Sequence, residues 1–208
     1  MLYSETVEPG AFSILKQTLK IPELKEFSLV GGTALSLTYG HRKSVDLDLF
    51  SARPFENASV VTALSNFFGD RFRKEEKAPR FGVFGFVDEV KIDLVLHPHP
   101  LIRPVQSQDG IRMFSLEDII AMKVQAILGR GRKKDFWDIA ELLNYYPVSD
   151  FIKFHREKYT SQNLLITVPQ AITYFADAEE DEDPVSLKNQ TWETVKAFIS
   201  RKVSEYLK

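Results

Sequence analysis

The stretch that most constrains this 208-residue chain is Val45-Asp46-Leu47-Asp48-Leu49-Phe50. Alternating apolar and acidic residues mark a β-strand, because successive side chains leave a strand on opposite faces. Leu47 and Leu49 then share one face, and Asp46 and Asp48 share the other. A fold that accepts this strand must bury the leucines. It must also deal with two like charges side by side, which repel and grow costly when desolvated. A divalent cation solves the second problem. Hard carboxylate oxygens suit Mg²⁺, with Mn²⁺ the other ion of that class. Two exposed acids on an amphipathic strand are the simpler explanation, so the rest of the chain has to decide.

Two further features lean toward the metal. Asp93 lies inside Lys91-Ile92-Asp93-Leu94-Val95, an otherwise apolar strand where an unpaired acid is costly. If this strand neighbours the first, three carboxylates converge, enough to hold two metal ions for in-line phosphoryl chemistry. An ion pair with Lys91 at a sheet edge is the plainer reading of Asp93. Upstream, a short apolar run, Phe27 to Val30, meets Gly31-Gly32-Thr33. Two glycines let backbone approach a phosphate, and a helix opening there offers free N–H groups. Thr33 adds a hydroxyl donor. Each feature alone is weak; their order along the chain is the specific signal.

The rest of the pattern is α+β. Residues 12–24, 33–39 and 60–68 read as helices, and residues 81–87 and 90–96 as a hairpin turning at Asp88-Glu89. Ser115 with Glu117 and Asp118 caps a helix to about Leu128, and residues 134–145, 151–157, 168–175 and 191–207 read as further helices. The expected division is a small mixed sheet core flanked by helices over 1–105 and a helical region over 106–208 that packs on the site. With 44% hydrophobic residues the chain can bury a core. The absence of cysteine excludes disulfides, thiolate metal sites and Cys nucleophiles. A net charge of −2 argues against a polybasic nucleic-acid wrap. No apolar run reaches the ~18 residues of a membrane span, and the N-terminus has no signal-peptide core. A cytoplasmic protein is expected.

The stretch Leu29 to Leu35 followed by Ser44 to Phe50 resembles the nucleotidyltransferase signature of the DNA polymerase β superfamily. More narrowly, G-G-T-A-L-S-L…G-H-R-K-S-V-D-L-D-L-F is similar to the AbiEii/AbiGii toxin-like nucleotidyltransferases of type IV toxin–antitoxin and abortive-infection systems. Ser115 to Lys123, Arg130, and Lys133-Lys134-Asp135-Phe136-Trp137-Asp138-Ile139 resemble that family's lysine and K-D-x-x-D motifs. The likeness spans about 27–143. It implies a nucleotidyltransferase core that moves an NMP from an NTP to an acceptor hydroxyl. Gly31, Gly32, Thr33, Arg42, Ser44, Lys123 and Arg130 would surround the nucleotide. Asp46, Asp48 and Asp93 would hold metal, with Asp93 readying the acceptor. Lys123, Asp135 and Asp138 would complete the catalytic set. It further implies an RNA acceptor such as the tRNA 3′ end, and a cognate antitoxin as partner. The other readings are a small-molecule or protein nucleotidylyltransferase, and a catalytically silent interaction module of the same fold.

Three readings rest on the residues alone. Lys123 and Arg130, two helical turns apart, share a face where they could stabilise a leaving pyrophosphate; a solvated helix lysine is the plainer view. Asp135 and Asp138 could simply pair with the cations of Arg130 to Lys134 at their helix start. That basic cluster either grips an RNA backbone or forms a solvated loop, and the acidic run Asp177 to Asp183 reads as solvated or as a patch for a basic partner.

Overall fold

In the computed structural model, which describes residues 1–76 and 79–208, every described strand joins one mixed sheet. The strands are β1 (Ser28–Leu29), β2 (Leu47–Ser51), β3 (Phe72–Lys74), β4 (Gly82–Val87), β5 (Val90–Leu96), β6 (Gln106–Gln108) and β7 (Ile111–Met113). Their order is β3-β4-β5-β2-β1-β7-β6. The pairs β2–β5 and β1–β7 are parallel and the rest antiparallel. The expected mixed α+β architecture is therefore the one observed, and the sheet runs on to Met113 through β6 and β7.

Period two sorts the central strands. Leu47, Leu49, Ile92 and Leu94 are buried on one face, while Asp48 and Asp93 occupy the other. Truncating any of those aliphatics to Ala would cost roughly 2–5 kcal/mol through lost burial and the cavity left behind. Helix α3 (Asn57–Phe68) packs on β3 and β4, sinking Val60 and Leu64 into the core.

Helix α1 (Pro9–Thr18) stops short of the expected residue 24. Pro22 lacks an N–H and its ring would clash with the carbonyl one turn back, so the chain restarts there as a 3₁₀ turn, Pro22–Leu24. Helix α2 (Gly31–Tyr39) springs directly from β1 and ends at Gly40, which takes a left-handed φ of 65°. The three-residue strands β3, β6 and β7 lie in stretches whose pattern gives no strand signal.

The C-terminal helices are α4 (Leu116–Arg130), α5 (Lys133–Leu142), α6 (Val148–Lys158), α7 (Val168–Ile172) and α8 (Trp192–Tyr206). Ser115 caps α4 as expected, its hydroxyl oxygen accepting the Asp118 N–H. Asp118 is fully buried and takes Lys158 Nζ at 2.6 Å, which ties α6 to α4. Helix α4 also packs against α5 and α7, and α8 against α5 and α6. Among the described residues no helix is long and apolar enough to cross a membrane.

Candidate active site

A cleft of about 480 Å³ lies between the acidic face of β2 and β5 and the helices α4 and α5. Asp48 and Asp93 are direct cross-strand neighbours in the parallel β2–β5 register. Strands stand roughly 4.8 Å apart, so the two carboxyls share one floor. Asp46, two residues before Asp48, lines the same cleft. Lysines hold the two outer acids: Lys91 Nζ is 2.8 Å from Asp93 Oδ2, and Lys134 Nζ is 3.3 Å from Asp46 Oδ2. The ion pair of Asp93 with Lys91 is thus present, together with the convergence of acids. Asp93 is 9% exposed, and its Oδ1 has no partner. Burial first, then the Asp93 and Asp46 charges, push the Asp48 carboxyl above the ordinary range, with Lys123 and Lys134 pulling against them.

The glycine turn touches this floor. Gly31 has φ +71°, and a Cβ on it would stand 2.9 Å from Asp48 Oδ2. A Cβ on Gly32 would fall 2.1 Å from Arg42 Nη2. The sequence needs both glycines because an acid crowds one and a guanidinium lies over the other. No side chain caps the start of α2, so its first-turn N–H groups are offered beside the floor. Thr33 is different. It is buried, and its hydroxyl donates to the Asp46 carbonyl oxygen and lies 2.8 Å from Ser44 Oγ. Thr33 pins the loop that carries Ser44 and Asp46 rather than lining the cleft.

Below the cleft wall sits a dense ionic hub. Asp138, fully buried, receives Arg42 in a two-pronged contact, Nε at 2.7 Å and Nη2 at 2.9 Å. His41 Nε2 lies 2.8 Å from the same carboxylate, and Lys123 Nζ 2.6 Å from its other oxygen. Lys123 also reaches Asp135 Oδ1 at 2.8 Å. Burial alone would raise Asp138, but Arg42, Lys123 and the His41 hydrogen bond outweigh it and hold the carboxyl well below the ordinary range. Lys123 is likewise buried, and Asp135 and Asp138 more than offset the desolvation that would lower it. It is no solvated lysine. Asp135 and Asp138 look inward to it rather than to the side chains of Arg130 to Lys134, although Asp135 does accept the Arg132 backbone N–H.

The acidic run is largely exposed, as a solvated segment would be, but three of its acids are anchored. Asp181 accepts the Lys133 N–H, Asp183 pairs with Lys133 Nζ at 3.0 Å, and Glu179 accepts from Trp192 Nε1. The segment beyond it bonds to the loop before β2: Lys43 N–H donates to the Val185 carbonyl and Leu187 N–H to the His41 carbonyl. The basic cluster is thereby divided. Lys133 is buried in this contact, while Arg130, Arg132 and Lys134 stay exposed.

Of the anticipated residues, Gly31, Gly32, Arg42, Ser44, Asp46, Asp48, Asp93, Lys123, Arg130 and Asp135 line the one cleft. Thr33 and Asp138 stand behind it. Sequence reasoning missed His41 and the specific partners of Asp138 and Asp46. Lys91 was legible, since period two puts it on the Asp93 face. Among the described residues no three acidic or His side chains form a ready-made metal cage. The donor set nevertheless fits a hard divalent cation: carboxylate oxygens only, one of them buried without a partner, and a neighbouring carboxyl raised by burial and then by like charge.

A family model for the AbiEii nucleotidyl transferase toxin of type IV toxin–antitoxin systems matches residues 13–205. An uncharacterised protein of Aquifex aeolicus (strain VF5) is 32% identical over 203 residues, spanning 93% of this chain and 94% of that one. JHP933 from Helicobacter pylori superposes with a TM-score of 0.60 at 16% identity, over 99% of this chain and 93% of its own. MenT4, a nucleotidyltransferase toxin from Mycobacterium tuberculosis H37Rv, gives 0.61 at 13% identity, over 92% and 81%. At these identities the structural likeness is one of fold, and that fold is the nucleotidyltransferase fold.

Proposed function

We propose, from the premise that this chain belongs to the AbiEii nucleotidyltransferase toxin family, that it transfers an NMP from an NTP to the hydroxyl of an RNA acceptor such as the tRNA 3′ end. One observation carries the reading: the acid floor and the glycine turn that opens α2 are in contact, a Cβ on Gly31 standing 2.9 Å from Asp48 Oδ2 at a φ of +71°. In this reading residues 1–105 hold the acids and the cradle, and residues 106–208 close over them. The β- and γ-phosphates lie at the start of α2, facing its N–H groups and the cations Arg42 and Lys134. Asp46, Asp48 and Asp93 would hold Mg²⁺ or Mn²⁺, which supplies charge neutralisation at the α-phosphate when bound. Asp93 takes the proton of the acceptor hydroxyl. That oxygen forms the new bond to the α-phosphorus as the bond to the bridging oxygen breaks, and pyrophosphate leaves toward Arg42 and Lys134. Lys123 stands beside the floor, fixed by Asp135 and Asp138.

Arg130, Arg132 and Lys134, exposed at the cleft rim, support an RNA backbone as the acceptor. The family supports a cognate antitoxin as partner and growth arrest or abortive infection as the outcome. A second reading, a small-molecule or protein acceptor, is favoured by the acidic run that neutralises Lys133.

The test is a labelling assay. Purified protein, Mg²⁺, each α-labelled NTP and total tRNA are combined, beside Asp48→Asn and a chelator control. Metal-dependent label on RNA from wild type alone is the expected result. Label on small or protein acceptors would move the reading to its second form. No transfer to any acceptor would overturn it and leave the silent module.

A further inference from the structure

The cleft does not end at its acids. It continues along the strands to Phe50 on β2 and His97 just past β5, walled by Met122, Gln125 and Tyr159. Nothing in the transfer step uses these residues. His97 is 8% exposed, and its Nε2 has no hydrogen-bond partner. Its ring is held among Phe50, His99, Phe114 and Tyr159, with centroids 5.8, 4.9, 6.1 and 6.3 Å away. Burial, helped by the Lys158 and His99 charges, lowers its pKa to about 3. The imidazole is therefore neutral and offers one N–H and one bare nitrogen. Buried polar atoms nearly always have partners, and because His97 lines the cleft, a polar group bound there can supply the one this atom lacks. Gln125 is half-engaged: its Oε1 lies 2.8 Å from His155 Nε2, which leaves the amino group as the free end of the amide.

The layout of the floor says what reaches this arm. Going across the sheet, the order is Asp93 on β5, Asp48 on β2, then Gly31 after β1. With the acceptor at Asp93 and the leaving phosphates at α2, the line of attack crosses the strands. Attacking and leaving oxygens are roughly in line, so the nucleoside on the same phosphorus projects sideways, along the strands. One way runs past the half-exposed Asp46–Lys134 pair into a second cavity of about 460 Å³, whose lining of charged and small side chains holds no aromatic ring for a base to lie against. The other opens on Phe50 and His97, two and four residues beyond the acids, or about 7 and 13 Å along a strand.

Resting on the nucleotidyltransferase reading above, we propose that this arm reads the base of the incoming nucleotide. The heterocycle lies against Phe50, and its polar edge meets His97 Nε2 and the Gln125 amide. A site with unsatisfied buried polar groups rejects a base whose edge leaves them unpaired.

The experiment measures affinities of wild type, His97→Phe and Gln125→Leu for the four NTPs and for inorganic triphosphate, with Mg²⁺ and without acceptor. His97→Phe keeps a flat ring, slightly larger, Gln125→Leu keeps roughly the side-chain size, and both remove the polar atoms. Wild type is expected to discriminate among the four NTPs. In either variant that discrimination shrinks by about tenfold, the worth of one mismatched buried polar group, while triphosphate affinity stays at the wild-type value. Triphosphate binding also certifies that the variants are folded; if His97→Phe fails it, Gln125→Leu decides alone. Equal affinity of wild type for all four NTPs, or variants with the wild-type ranking, would overturn the proposal and leave the enzymatic reading intact. Variants that keep the ranking in this titration but, in the tRNA labelling assay run alongside, change use of the acceptor would overturn it by assigning the arm to the acceptor's terminal base. Wild type that binds neither NTP nor triphosphate would instead break the reading on which the proposal rests.

Discussion

Two clusters of carboxylates lie within one fold and solve like-charge crowding in opposite ways. The hub around Asp138 is compensated in charge: one carboxylate takes Arg42, Lys123 and His41, and Asp135 shares Lys123, although His41 Nδ1 is left without a partner. The floor is not compensated. Lys91 and Lys134 serve its outer acids, Asp48 has no ion pair among the described contacts, and one oxygen of Asp93 is buried alone. The hub is built to be rigid and the floor to be incomplete. A buried pair is destabilising when broken, because it leaves an uncompensated charge, whereas an unfinished acid site loses little stability when one charge is removed. Position and reactivity are thus divided between neighbouring sets of the same residue types.

The comparison is broken most forcefully at Asp138. Asp138→Asn leaves Arg42 and Lys123 underpaired in the interior. It should cost about 3–5 kcal/mol, lowering Tm by roughly 6–20 °C in calorimetry, and weaken triphosphate binding because Arg42 loses its anchor. An unchanged Tm would mean the hub is not the rigid partner. Asp48→Asn should do the reverse. Transfer falls by roughly 10²–10³-fold or more, the scale of one lost electrostatic group at the reacting centre, while Tm holds or rises. Loss of activity together with a collapsed Tm would erase the distinction. Lys134→Ala is the milder probe. Its pair with Asp46 is half-exposed, so stability should move by less than about 1 kcal/mol. Triphosphate affinity should still drop severalfold in a salt-dependent way, as titration at two ionic strengths would show.

The floor was readable in the sequence and the hub was not, for a physical reason. Asp46 and Asp48 declare their shared face by period two, and Gly31-Gly32 declare a turn, because both signals are local. Arg42 and Asp138 are 96 residues apart, and nothing in either neighbourhood specifies the other. Lys123 on an amphipathic helix reads as solvated until α5 packs across it. The acidic run is similar: Asp181 and Asp183 become partners of Lys133 only once the chain folds back before α8. His97, in a His-Pro-His-Pro stretch, reads as a loop closing the sheet, and only the continuation of the cleft past Asp93 gives it another meaning. The strands β3, β6 and β7, three residues each, are too short to show a period.

The smallest effect separates the two clusters by pH alone. Asp138 titrates below its unfolded value, so its contribution to stability is complete above about pH 4 and is lost only as pH falls through its depressed folded value. Asp48 titrates above its unfolded value, so its ionised form opposes folding at neutral pH. That opposition disappears as pH falls through the raised folded value, and none remains below the unfolded value near 4. Asn at position 48 carries no such charge at any pH. The stability advantage of Asp48→Asn over wild type should therefore be greatest at neutral pH and close as pH approaches 4, with both proteins then losing hub stability together below it. Denaturant melts of the two proteins from pH 7 to pH 3 give the difference directly. A gap that stayed constant or widened toward acid would show that the Asp48 charge does not oppose folding.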